Sequence, residues 1–148
     1  MAAFDAMDPE EQEQLDRLAE RETAYGLFQR AGALMKRRHH AQAAVLLQRA
    51  NRLEPHKGSI VEALARAYYN SGQHDRAEES FRELIDIDPS AAYGHFGLGQ
   101  SLKMLGRRDE ARAELVRAAS LTRNEQERTL LRTRAANLTE QAANHRAH

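Results

Sequence analysis

The chain has 148 residues, with 22 Lys and Arg against 22 Asp and Glu, no Cys and no Trp, 41% hydrophobic and 30% charged residues, the make-up of one soluble domain. Without cysteine there is no disulfide, no thiolate nucleophile and no Cys-ligated zinc or iron–sulfur site. No stretch reaches the ~18–20 consecutive apolar residues of a bilayer helix, and Met1-Ala2-Ala3-Phe4-Asp5 lacks the basic flank and apolar core of a signal sequence, so the expected location is the cytoplasm, with no membrane span.

The net charge of zero is a sum of unlike parts. Residues 1–22 carry eight acids against Arg17 and Arg21, net −6; residues 23–123 carry 16 basic and 11 acidic residues, net +5; residues 124–148 carry four Arg and three Glu, net +1. An acidic arm is therefore attached to a basic body. Only Lys36, Lys57 and Lys103 are lysine, and Ala is abundant, a bias common in GC-rich bacterial genomes.

In chain order, Asp8-Pro9-Glu10-Glu11 starts a helix, with Pro at the first helical position and acids on the positive dipole end. Its apolar residues, Leu15, Leu18 and Ala19, are sparse. It either docks on the adjoining helical unit with its acids near Arg30 or extends the next helix loosely. A period of 34 then takes over. Ala43, Ala77 and Ala111; Leu47, Phe81 and Leu115; Leu34, Tyr68 and Leu102; and Ala31, Ala65 and Gly99 each step by 34, as do Pro55 to Pro89 and Gly72 to Gly106.

The middle unit shows the physics. Val61, Leu64, Ala65 and Tyr68 recur at three and four residues on one helix face, with Ala65 small enough to admit a second helix. Ser71-Gly72 breaks the helix, Gly supplying the positive φ of a tight turn. Asp75 with Glu78 has the form of a capping box opening a second helix whose apolar face is Ala77, Phe81, Leu84 and Ile85, and Asp88-Pro89 closes it. At the far end, Asn124 with Glu127 also reads as a capping box. There Leu130, Leu131, Ala135, Leu138 and Ala142 form a stripe on a helix of roughly 125–143.

These ladders resemble the tetratricopeptide repeat family. Its pattern is carried by Val61, Leu64, Ala65, Tyr68, Ala77, Phe81, Leu84 and Pro89; by Leu27, Arg30, Ala31, Leu34, Ala43, Leu47, Ala50 and Pro55; and by His95, Leu98, Gly99, Leu102, Ala111, Leu115, Ala118 and Arg123. The departures are Arg30 in place of Leu, His95 in place of a bulky apolar residue and Arg123 in place of Pro. The resemblance implies an all-α fold, an α-solenoid of three helix–turn–helix repeats at 24–57, 58–91 and 92–125 (together 24–125). It is flanked by an acidic helical arm over 1–23 and a capping helix with a polar tail over 126–148.

In that family the first helices of the units line a concave groove. Its places fall here on Tyr25, Phe28, Gln29, Gly32, Met35 and Lys36; on Ser59, Glu62, Ala63, Arg66, Tyr69 and Asn70; and on Tyr93, Phe96, Gly97, Gln100, Lys103 and Met104. The partner-binding residues expected from this are Tyr25, Phe28, Gln29, Met35, Lys36, Arg66, Tyr69, Asn70, Tyr93, Phe96, Gln100 and Lys103. Exposed aromatics and Met mark a binding surface, and Lys36, Arg66 and Lys103 against Glu62 make it net positive. The expected partner is a protein segment, a peptide or helix with apolar anchors and acidic groups. Self-assembly into a homo-oligomer, the acidic arm meeting a neighbour's basic body, is the second reading. A third is a chaperone of a secreted client, since Phe96-Gly97-Leu98-Gly99 resembles a stretch of the type III secretion chaperones. The carboxylate clamp of heat-shock cochaperones is not expected, because its places hold Phe28, Gly32, Ala63, Tyr93 and Gly97.

Other constellations carry less. His39, His40 and His74 read as solvated turn residues, and His95 as a packing residue. Gly94, Gly97 and Gly99 lack the strand and spacing of a phosphate loop, and Gly99 has a packing reason. The basic turns with Lys36, Arg37, Arg38, Arg76, Arg107 and Arg108 lack the aromatics of a nucleic-acid surface, so no nucleic acid is expected. No nucleophile, base or metal set converges, so neither enzymatic activity, a metal nor a cofactor is expected.

Overall fold

A computed structural model describes residues 8–147, with side chains described for 8–18 and 22–139; Phe4 and His148, and the side chains of Ala19, Ala142 and His145, lie outside the described residues. The described residues form eight helices: α1 (Pro9–Arg21), α2 (Ala24–Lys36), α3 (His40–Leu53), α4 (Gly58–Asn70), α5 (His74–Ile87), α6 (Ala92–Met104), α7 (Arg108–Leu121) and α8 (Glu125–Ala147). Helices α2, α4 and α6 begin at 24, 58 and 92, and α3, α5 and α7 at 40, 74 and 108. The molecule is an all-α helical repeat in which each helix from α2 on packs on the next. Among the described residues α2 meets α4 and α4 meets α6, while α3, α5 and α7 do not meet one another, so the first set lies on the concave side.

The ladders become the core. Leu47, Phe81 and Leu115 are buried, as are Ala43, Ala77 and Ala111. Ala31, Ala65 and Gly99 occupy the tight crossings, where a Cβ on Gly99 would sit 3.0 Å from Leu115 Cγ.

All three hairpin turns share one closure. The His39, Gln73 and Arg107 amides donate to the Leu34, Tyr68 and Leu102 carbonyls at 2.8, 2.8 and 2.9 Å. One residue earlier, the Arg38, Gly72 and Gly106 amides donate to Met35, Tyr69 and Lys103. This Schellman pattern needs a left-handed residue, supplied by Arg38 (φ 63), Gly72 (φ 81) and Gly106 (φ 78).

That closure overturns the capping box expected at Asp75. It delivers Gln73 to the helix start, so α5 begins at His74 and Asp75 lies inside the first turn, on the positive end of the helix. Glu78 instead accepts from Arg82 at 2.9 Å and Arg107 at 2.7 Å. The box at Asn124 is half made. Asn124 Oδ1 accepts from the Glu127 amide at 3.1 Å, but the Glu127 carboxylate accepts from the Thr122 hydroxyl. Helix α8 runs on to Ala147, and of the described residues of its expected stripe Leu131, Ala135 and Leu138 face the core while Leu130 is 53% exposed, because adjacent helical residues point about 100° apart. His40 and His74 are not solvated turn residues. They open α3 and α5 half-buried, with the His74 ring edge-on to Tyr69 at 5.1 Å.

Helix α1 does not dock through its leucines. Leu15 and Leu18 are 47% and 54% exposed, and among the described residues α1 packs on α2 alone. The junction is fixed by Thr23, whose hydroxyl caps α2 by accepting from the Gly26 amide, and by an ion pair of Glu22 with Arg49 of α3.

Candidate binding groove

On the concave face, α4 and α6 hold open a cavity of about 250 Å³. Arg66, Tyr69 and Asn70 line it from α4, and Tyr93, Phe96, Gly97 and Gln100 from α6. Its floor is Phe81 of α5, which reaches the groove because Gly97 has no side chain: a Cβ there would lie 2.1 Å from the Phe81 ring. The Phe81 and Tyr93 rings meet edge to face at 6.1 Å.

A second cavity of about 390 Å³ adjoins it between α6 and α8, lined by Ala92, Tyr93, Phe96, Thr122, Glu127, Leu130, Leu131 and Arg134. Tyr93 and Phe96 are common to both, so the two form one trough with an aromatic ridge. The Arg134 guanidinium lies 5.4 Å above the Phe96 ring, a cation–π contact that keeps a charge beside apolar surface. Burial pushes the Tyr93 phenol up to about 12, with Arg66 lowering it and Glu62 raising it. Tyr93 therefore stays neutral at physiological pH and offers a hydrogen-bonding tip.

Six of the expected site residues, Arg66, Tyr69, Asn70, Tyr93, Phe96 and Gln100, are thus brought together. The others line neither cavity. Tyr25 is 66% exposed on α2 and accepts from the Gln29 amide nitrogen at 2.6 Å, while Phe28 and Met35 pack half-buried against the core. Lys36 and Lys103 are exposed in the last turns of α2 and α6. Among the described residues Lys36, Arg66, Lys103 and Arg134 have no carboxylate within ion-pair distance. Sequence reasoning missed Phe81, which periodicity assigned to the core alone, and the whole α8 wall. The adjacent pair Leu130-Leu131 was a usable signal, because neighbours on one helix point about 100° apart and α8, which packs on α7 alone among the described residues, has only one covered side.

Three neighbouring features are structural. His95 is buried, its Nδ1 at 2.8 Å from Glu114 Oε2 and its Nε2 at 3.1 Å from the Pro89 carbonyl, bracing α6 against α7 and the preceding loop. Gly94, Gly97 and Gly99 all lie buried within α6, where added Cβ atoms would meet Ile85, Phe81 and Leu115. Along the basic turns, Arg107 pairs with Glu78 and Glu110, whose carboxyl is lowered chiefly by its hydrogen bond to Arg107, and Arg76 lies 5.8 Å over the Tyr68 ring. Among the described residues no helix is long and apolar enough to cross a membrane.

Superkiller complex protein 3 of Mus musculus and of Homo sapiens are 32% and 31% identical to this chain over 80 residues. That is 54% of this chain, and the chain spans 5% of the length of these relatives. Among solved structures, the first TPR of Spaghetti (RPAP3) bound to the HSP90 peptide SRMEEVD is similar with a TM-score of 0.71 at 17% identity, over 79% of this chain and 93% of that one. The Yersinia enterocolitica type III secretion chaperone SycD in complex with a peptide of the translocator YopD is similar with a TM-score of 0.67 at 20% identity, over 92% of this chain and 95% of that one. The Sgt2 TPR domain from Aspergillus fumigatus gives 0.72 at 20%, over 82% of each. Likenesses at these identities speak to the fold. Residues 34–95 and 71–135, more than half of the sequence, match the tetratricopeptide repeat family, and the chain belongs to it.

Proposed function

We propose that this protein is an interaction module, binding rather than catalysing, that holds a peptide or helix of a partner protein in the trough formed by α4, α6 and α8. The observation that carries this is the shared ridge of Tyr93 and Phe96 between two open cavities, with Arg66 and Arg134 beside it. Aromatic area left accessible on a folded surface and flanked by cations suits a ligand with apolar anchors and acidic groups. The bound peptides of the RPAP3 and SycD structures support a peptide as the ligand class. A bacterial source, read from the scarcity of lysine and the abundance of alanine, and a cytoplasmic location belong to the same proposal, as does the narrower reading of a chaperone for one secreted client.

The test uses labelled helix-forming peptides: one acidic with two leucines three residues apart, one with those leucines changed to serine, and one with its acids changed to lysine. The expected order of affinity places the acidic leucine peptide first. Arg66→Glu is expected to weaken it about tenfold, roughly 1.4 kcal/mol, with the helical circular dichroism unchanged. Equal binding of all three peptides, or no effect of both Arg66→Glu and Tyr93→Ala, would remove the groove from the function.

A further inference from the structure

The chain carries a segment with the chemistry its own groove selects. Helix α1 presents Leu15 and Leu18 to solvent, one turn apart on a face bounded by Glu11 and Glu22, and it bears Glu10, Glu13 and Asp16 beside them. A 13-residue helix is about 20 Å long, enough to lie along a trough of two cavities. The charges are complementary: net −6 over residues 1–22 faces a body of net +5 over 23–123. The trough cations Arg66 and Arg134, and Lys103 exposed in the last turn of α6, are without carboxylate partners among the described residues, against Glu62 and Glu127 as the acids nearby.

The arm is held away from the groove of its own chain. Only Glu22 and Thr23 separate α1 from α2, and both are engaged, Glu22 with Arg49 and Thr23 with the Gly26 amide. The cavities lie between α4 and α6 and between α6 and α8, so to reach them α1 would have to break these contacts and cross α2 and α4. A neighbouring molecule imposes no such constraint.

We infer that the groove takes helix α1 of a second copy of this chain, with Leu15 and Leu18 against the Tyr93–Phe96 ridge and the α1 carboxylates against Arg66, Lys103 and Arg134. This rests on the groove being the binding surface proposed above. A mutual exchange closes on a two-fold axis and gives a dimer whose grooves are both filled, so a client competes with the arm. The attraction is partly ionic, and salt at about 0.5 M, where the Debye length is only a few Å, weakens it.

The experiment is sedimentation equilibrium of the full chain at micromolar concentrations in low salt. It is joined to titration of a labelled peptide of residues 8–23 into the full-length variant Leu15→Glu/Leu18→Glu, whose own arm cannot compete. The expected results are a wild-type dimer and a monomeric arm variant, with peptide binding that weakens about tenfold in the arm variant further carrying Arg66→Glu. A monomeric wild type, a dimer that survives Leu15→Glu/Leu18→Glu, or a dimer lost by the arm variant but kept by Tyr93→Ala/Arg66→Glu would each overturn the inference. If the arm variant still binds the acidic leucine peptide but not residues 8–23, the groove stands as a binding surface and only its occupant is wrong. Loss of both in a folded protein overturns both.

Discussion

Two glycines on concave-side helices differ in what surrounds them, and that difference sets opposite signs for the same substitution. Gly32 sits exposed in the middle of α2 with nothing within 4 Å of a built Cβ. There alanine costs no space and removes the backbone entropy penalty of glycine in a helix, so Gly32→Ala is expected to stabilise by about 0.5–1 kcal/mol. Gly97 is buried, and its Cβ would lie 2.1, 2.4 and 2.5 Å from three atoms of the Phe81 ring. Phe81 is itself 2% exposed and packed in the main apolar cluster, so its ring must shift to admit the methyl group, and the overpacking cost of about 1–3 kcal/mol exceeds the gain in helix propensity. Thermal denaturation followed by circular dichroism should show the two midpoints moving in opposite directions. A rise for Gly97→Ala would mean that Phe81 is not held as described, and with it the floor of the cavity.

At the scale of the element, the three Schellman turns close the same way on different residues, and the first rung is the odd one. Gly72 and Gly106 adopt positive φ freely, whereas Arg38 does so with a Cβ in the way. Arg38→Gly is expected to stabilise by about 0.5–1 kcal/mol after the larger unfolded-state entropy of glycine is subtracted, and Gly72→Ala to destabilise by about 1 kcal/mol. Urea unfolding of the two variants checks the pair, and a loss of stability in Arg38→Gly would mean the arginine side chain contributes something its exposed position does not show. The helices were legible because a 34-residue period repeats the same burial three times, so Leu47, Phe81 and Leu115 report on one another. The Asp75–Glu78 box misled because an acid followed three residues later by Glu arises readily in a charged helix, while the true start is set by the Gln73 amide bonding back to Tyr68. In the groove, Arg66, Tyr69, Asn70, Tyr93, Phe96 and Gln100 were legible because they belong to the same helices and the same phase. Phe81 and Leu130 were not, since their place in the trough depends on how α5 and α8 cross α6 and no local periodicity encodes a crossing.

For the whole molecule, the two ends of the solenoid do different jobs, although both are helices appended to a repeat. Helix α8 packs on α7 and places Leu131, Ala135 and Leu138 in the main apolar cluster, so the face of α7 that it covers meets water if it is removed. Among the described residues helix α1 adds none to either apolar cluster, and its leucines are exposed. A repeat array is stabilised by its nearest-neighbour interfaces, so an end helix matters in proportion to the interface it makes. Ending the chain after residue 123 removes the burial of two leucines, at roughly 1.5–3 kcal/mol each, and exposes the facing surface of α7. At about 2–4 °C per kcal/mol for a domain of this size, the midpoint is expected to fall by about 10 °C or more. Deleting residues 1–21 is expected to leave the midpoint within about 2 °C when measured at a concentration too low for association, because the described side chains of the arm, residues 8–18, are all exposed. At high concentration the same deletion should lower the midpoint further if arms are exchanged between copies, since a partner that binds only the folded state stabilises it by mass action. Calorimetry of both truncations across a concentration series separates the terms. An α1 deletion that destabilises equally at every concentration would show the arm to be part of the fold of its own chain.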